Sequence, residues 1–132
     1  MKFDTFGRHP IEDRPLNLVE QINQTWTFVA ALEATRKLLS DYPDDEFRVA
    51  PGAHAAIKFD IVNRREDVCA ETFAAVSPRN NRKLERDIAK LEKHLDIPNR
   101  YVFFMSPEFS KTERHARFGR SGIQVWSIGY SL

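Results

Sequence analysis

The stretch IKFDIVNRREDVCAETFAAV, residues 57–76, decides how this chain is read. It joins the end of one β-type run, AAIKFDIV (55–62), to a second, DVCAETFAAV (67–76), through the polar segment NRRE. Apolar, β-branched and aromatic runs on either side of a short polar stretch predict two consecutive strands in a hairpin. Each run carries one acid: Asp60 at the end of the first and Glu71 in the middle of the second. If the hairpin forms, the two carboxylates come close enough to share a divalent metal, an arrangement suited to hydrolysis. Alternation puts Glu71 on the same face as Cys69, Phe73 and Ala75, and an acid inside an apolar strand is costly unless it is paired or bound to metal. The plainer readings stand beside this one. Asp60 can be a strand-end acid that starts the turn, and Glu71 an edge residue that faces water or pairs with a lysine.

Working toward the N-terminus, EFRVA (46–50) is a third β-type run, cut off from the hairpin by Pro51 and Gly52, and DYPDD (41–45) ends whatever precedes it. From Leu16 to about Ser40, Leu18, Ile22, Trp26, Val29 and Leu32 recur at helical spacing and predict a long amphipathic helix. Residues 1–15, with Gly7, Pro10 and Pro15 among mixed charges, suit an extended N-terminal arm. Toward the C-terminus, Ser77-Pro78 reads as a helix start. Leu84, Ile88, Leu91 and Leu95 then form one stripe that Pro98 closes. RYVFFMS (100–106) is apolar throughout, the mark of a strand buried on both faces. A polar, basic loop (107–122) and a final strand in IQVWSIGY follow.

The order helix, three strands, helix, strand, strand fits a single α/β domain over residues 16–132, a mixed sheet with helices on its faces. The strand-helix-strand step from 67 to 106 should make those strands parallel. At 132 residues the chain suffices for one core. One cysteine, Cys69, excludes an intramolecular disulfide and leaves a thiolate zinc site short of ligands. The histidines at 9, 54, 94 and 115 lack ligand spacing, and His54 is the one placed near the acids. No apolar leader and no 18-residue apolar window is present, so a cytoplasmic protein without membrane spans is expected. Residues 1–50 hold six Lys and Arg against nine Asp and Glu, a charge of −3. Residues 79–132 hold eleven against six, +5, and so form the better polyanion surface.

That element order, with an acid on the second strand and another in the third, resembles the αβββαβ core of the PD-(D/E)XK nucleases, the restriction-endonuclease-like superfamily, with one extra C-terminal strand. The likeness covers roughly residues 16–130. It implies that Asp60 and Glu71 bind Mg²⁺ or Mn²⁺ for phosphodiester hydrolysis of a nucleic acid. Phe73 stands where the family's lysine belongs. Some members carry that lysine on the following helix, for which Lys83 is the candidate; Lys58, two before Asp60 on the same strand face, is the second. An acid on the first helix completes the metal site in many members, and Glu20 holds the matching place. By helical angle Glu20 falls on the polar side, which either faces solvent or covers the active-site edge. Lys111, Arg114, Arg117 and Arg120 either clamp substrate phosphates or are simply solvated. A homodimer or larger complex would have to supply specificity. The alternative is a non-catalytic interaction or regulatory module that kept the fold; Phe73 favours it and the two acids oppose it.

Overall fold

The computed structural model describes residues 14–50, 58–78 and 82–129, with side chains described from residue 25 onward. Helix α1 (Arg14–Asp41) leads into β1 (Phe47–Val49), β2 (Ile61–Asn63) and β3 (Val68–Ala74). Helix α2 (Lys83–Glu92) leads to β4 (Asn99–Met105), then β5 (Glu113–Arg114), a 3-10 turn (Ala116–Phe118) and β6 (Ile123–Ser127). The strands form one six-stranded mixed sheet in the order β1-β2-β3-β4-β6-β5. β1, β2 and β3 are successively antiparallel, whereas β3, β4 and β6 are parallel to one another. The chain is thus α/β, with two helices and an open mixed sheet.

The hairpin forms because Asn63 builds its turn. Its side-chain oxygen accepts the backbone N–H groups of Asp67 and Val68, each at 3.0 Å, while its amide nitrogen donates to Asp45 at 3.1 Å. Glu66 takes the left-handed conformation at φ 57°, and its N–H closes the turn on the Asn63 carbonyl. With the turn set, Ile61 pairs Ala70 and Val62 pairs Cys69. Counting back one step sets Asp60 opposite Glu71.

Alternation then sorts the sheet into two faces. Ile61, Val68, Ala70, Tyr101, Phe103 and Met105 pack with Ala30, Ala34 and Leu38 of α1. Val62, Cys69, Phe73, Val102 and Phe104 pack with Leu84, Ile88 and Leu91 of α2. Alanines at 30, 31 and 34 let α1 lie close to the sheet, and they, with Leu38, are fully buried. β4 lies between two parallel neighbours and is buried from Arg100 to Met105, as its apolar run predicts.

Several sequence expectations are corrected. Asp60 does not end a strand: it sits in a bend immediately before β2, and Lys58 in the same bend is exposed, so the two do not share a strand face. Leu32 is exposed on α1 because the buried seam runs through the alanines, one step around the helix. The second helix begins at Lys83 rather than at Ser77-Pro78, with Arg82 at its N-cap in the left-handed conformation at φ 54°. It ends at Glu92, which leaves Leu95 beyond it and exposed. The basic segment is no plain loop: it contains the edge strand β5 and the 3-10 turn, so the sheet carries two strands after β4. Trp26 and Trp126 pack against the core, as expected. His54, Asn80 and Asn81 lie outside the described residues, as do residues 1–13 of the N-terminal arm. Among the described residues, no helix is long and apolar enough to cross a membrane.

Candidate functional site

The cross-strand register brings Asp60 and Glu71 together. The backbone N–H of Asp60 donates to Glu71 Oε2 at 2.9 Å, and the backbone N–H of Thr72 donates to Asp60 Oδ2 at 2.8 Å. Each acid is therefore held by a backbone donor next to the other. Both are buried, Asp60 at 8 % and Glu71 at 4 % exposure, levels at which an unpaired carboxylate is costly.

The compensating charges come from α2. Lys83, Asp87, Lys90 and His94 recur at four, three and four residues and form a second stripe, beside the apolar one of Leu84, Ile88 and Leu91. Lys90 Nζ donates to Glu71 Oε1 at 2.7 Å and stands 5.7 Å from the ring centroid of Phe59. Lys83 Nζ donates to Asp87 Oδ1 at 2.9 Å. His94 packs edge-on against Phe59, with centroids 4.9 Å apart.

The electrostatics follow from burial and crowding. Burial above all, then the nearby charge of Asp60, pushes the Glu71 carboxyl up to about 7, against the partial relief of Lys90. Burial likewise raises Asp60, opposed by the Thr72 N–H and by Lys83 and Lys90. Asp87 is raised by burial, with its hydrogen bond to Lys83 pulling the other way and the charge of Asp60 adding to the rise. Three buried carboxyls thus destabilise one another's ionised forms, and two lysines offset this in part. Cys69 is a buried bystander: its thiol is pushed up to about 12, chiefly by burial, which leaves it unreactive.

Of the residues singled out from sequence, Asp60, Glu71 and Lys83 converge on this site and the others do not. Lys58 points to solvent. Glu20 lies on α1, but its side chain is outside those described; the described part of α1 packs on the opposite sheet face from Glu71. Phe73 is 4 % exposed and stacks on Phe104 with centroids 5.8 Å apart, so it is a core residue and has no lysine's role. Lys111, Arg114 and Arg117 are exposed around β5, three strands from β3 and roughly 14 Å across the sheet. Arg120 bonds Glu92 at 3.1 Å, at the far end of α2.

Sequence reasoning missed Lys90 and Asp87. The signal was present in the spacing 83, 87, 90 and 94, which marks one polar face next to the apolar stripe. Placing it required knowing that α2 covers Glu71.

The site is rich in hard oxygen donors of the kind Mg²⁺ and Mn²⁺ take. Among the described residues, no three Asp, Glu, His or Cys side chains share one coordinating point. Two protein carboxylates with water filling the remaining positions suit Mg²⁺, which gives up its hydration shell reluctantly. No family model, no curated protein and no solved structure matches this chain.

Proposed function

We propose that this chain is a metal-dependent nuclease with a restriction-endonuclease-like core, in which Asp60 and Glu71 are the acidic pair and Lys90 supplies the lysine that Phe73 cannot. The observation that carries the reading is the Lys90 ammonium on Glu71, 2.7 Å from a carboxylate that lies directly across the strands from Asp60. The antiparallel β1-β2-β3 run, followed by α2 and a β4 parallel to β3, supports the same reading. Asp60 and Glu71 would hold Mg²⁺ or Mn²⁺, which when bound neutralises charge on a phosphodiester and makes water more acidic.

The chain's own residues do the remaining work. Lys90 is tethered at one end to a buried acid and is 41 % exposed, so its ammonium can orient a water at the mouth of the site without collapsing into the core. Lys83, 42 % exposed and electrostatically coupled to Asp60, adds a second cation for a phosphate oxygen. Lys111, Arg114 and Arg117 reach the same substrate only if it spans the sheet, as a polynucleotide does. Cleavage of labelled single- and double-stranded DNA and RNA tests the proposal. Metal-dependent cutting that disappears in Glu71→Gln and Asp60→Asn is expected; cutting that survives both substitutions would refute it.

A non-catalytic module is the second reading. Both oxygens of Glu71 are satisfied inside the protein, by Lys90 and by the Asp60 N–H, a closed network that requires no cation. A chain that cuts no substrate and gains no stability from Mn²⁺ would favour it.

A further inference from the structure

Asp87 is the part of the site that neither proposed role explains. It is 3 % exposed, its Oδ1 accepts from Lys83, and its Oδ2 is buried with no hydrogen-bond partner. A buried carboxylate oxygen without a donor forfeits its hydration and receives nothing in return. Hydrophobic packing offers no reason to keep an acid there, because Leu84, Ile88 and Leu91 already supply the contact between α2 and the sheet. Asp87 lies on the helix stripe that carries Lys90 to Glu71, three residues earlier, and its charge acts on the same carboxyl group as Lys83 does, that of Asp60.

Building on the nuclease reading, we infer that Asp87 is a positioning residue for a hydrated divalent cation: its free Oδ2 accepts a hydrogen bond from water on the cation held by Asp60 and Glu71. Lys83 occupies the other oxygen and fixes the carboxylate's rotation. This role needs no third protein ligand at the cation, in keeping with the absence of a three-residue coordinating cluster among the described residues. It also places the site's third acid on α2, where sequence had offered Glu20 on α1. Groups that orient the shell around a metal ordinarily change its affinity by about 10–100-fold when removed.

The test is Mn²⁺ affinity, read by calorimetry and by the electron paramagnetic resonance of the free ion, for the natural chain, Asp87→Asn and Lys83→Met. Asparagine keeps the shape and can still accept from Lys83, but the group replacing Oδ2 is a donor and cannot accept from a bound water. Asp87→Asn is expected to weaken Mn²⁺ at least tenfold, and Lys83→Met to leave it unchanged or tighter, since a positive charge is removed. Equal weakening by both substitutions would overturn the inference, because Asp87 would then act only by holding Lys83. So would Asp87→Asn with natural affinity while Glu71→Gln loses binding, which leaves the nuclease reading standing. No Mn²⁺ binding by the natural chain would overturn both. Asp87→Ser, which removes the buried charge altogether, gives the same reading should the asparagine variant fold poorly.

Discussion

Against α1, the sheet presents Ile61, Val68, Ala70, Tyr101, Phe103 and Met105, and the contact is apolar except where the hydroxyls of Tyr42 and Tyr101 meet at 2.7 Å. Against α2, the same strands present Cys69, Phe73, Val102 and Phe104, but Glu71 stands among them, with Asp60 and Asp87 beside it. One face satisfies the packing rules throughout. The other buries three acids that repel one another and retains two lysines that only partly compensate. Local violations of otherwise consistent rules are where function is to be sought, and here they are confined to one face, at the middle of β3.

The largest expected effect belongs to the apolar face. Phe103 is 1 % exposed and stacks on Tyr101, with centroids 5.5 Å apart. Phe103→Ala should cost about 3–5 kcal/mol in urea unfolding at any pH, through lost burial and the cavity left behind.

On the charged face the sign reverses. The Glu71 carboxyl sits at about 7 in the folded chain against an ordinary 4.5, so between those values the native state keeps a proton that the unfolded chain has released. Stability therefore falls as pH rises from about 4.5 to about 7, and above that window the deficit amounts to at most about 3 kcal/mol. Glu71→Gln should recover that stability at pH 8 in metal-free buffer and change nothing below pH 4. Equal stabilisation at both pH values would mean that Glu71 carries no buried charge.

Asp60→Asn sharpens the origin of this effect. Removing the Asp60 charge should bring the Glu71 carboxyl down from about 7 toward its ordinary value, followed by carbon-detected NMR titration. The smallest change returns to the apolar face: Tyr42→Phe removes one hydroxyl of the Tyr42–Tyr101 pair and should cost about 0.5–1.5 kcal/mol, with no dependence on pH between 5 and 8.

The hairpin and the pairing of its two acids were legible in residues 57–76, because a two-residue period and one polar turn suffice to register two strands. The buried β4 was equally plain from YVFFM. Boundaries were less so: Ser77-Pro78 carries the chemistry of a helix cap, but the helix begins at Lys83, after Arg82 takes a left-handed turn that no side-chain type announces. The lysine was harder still. Periodicity identifies the faces of a helix, but which face meets Glu71 depends on how α2 docks, and that is settled by tertiary packing. Lys83 was therefore found and Lys90, one further turn along the same stripe, was not. Phe73 was read correctly as a departure from a nuclease motif, and its partner Phe104 explains its presence as core packing.

The thermal midpoint at pH 8 with and without Mn²⁺, for the natural chain and for Asp60→Asn, tests most directly whether the crowded acids of the α2 face are held for a cation. A cation that binds the folded chain alone adds about 2.7 kcal/mol at a concentration one hundred times its Kd, a rise of about 5–10 °C for a domain of this size. The account predicts such a rise in the natural chain and little or none in Asp60→Asn. An unchanged midpoint in the natural chain, or the same rise in both, would contradict it.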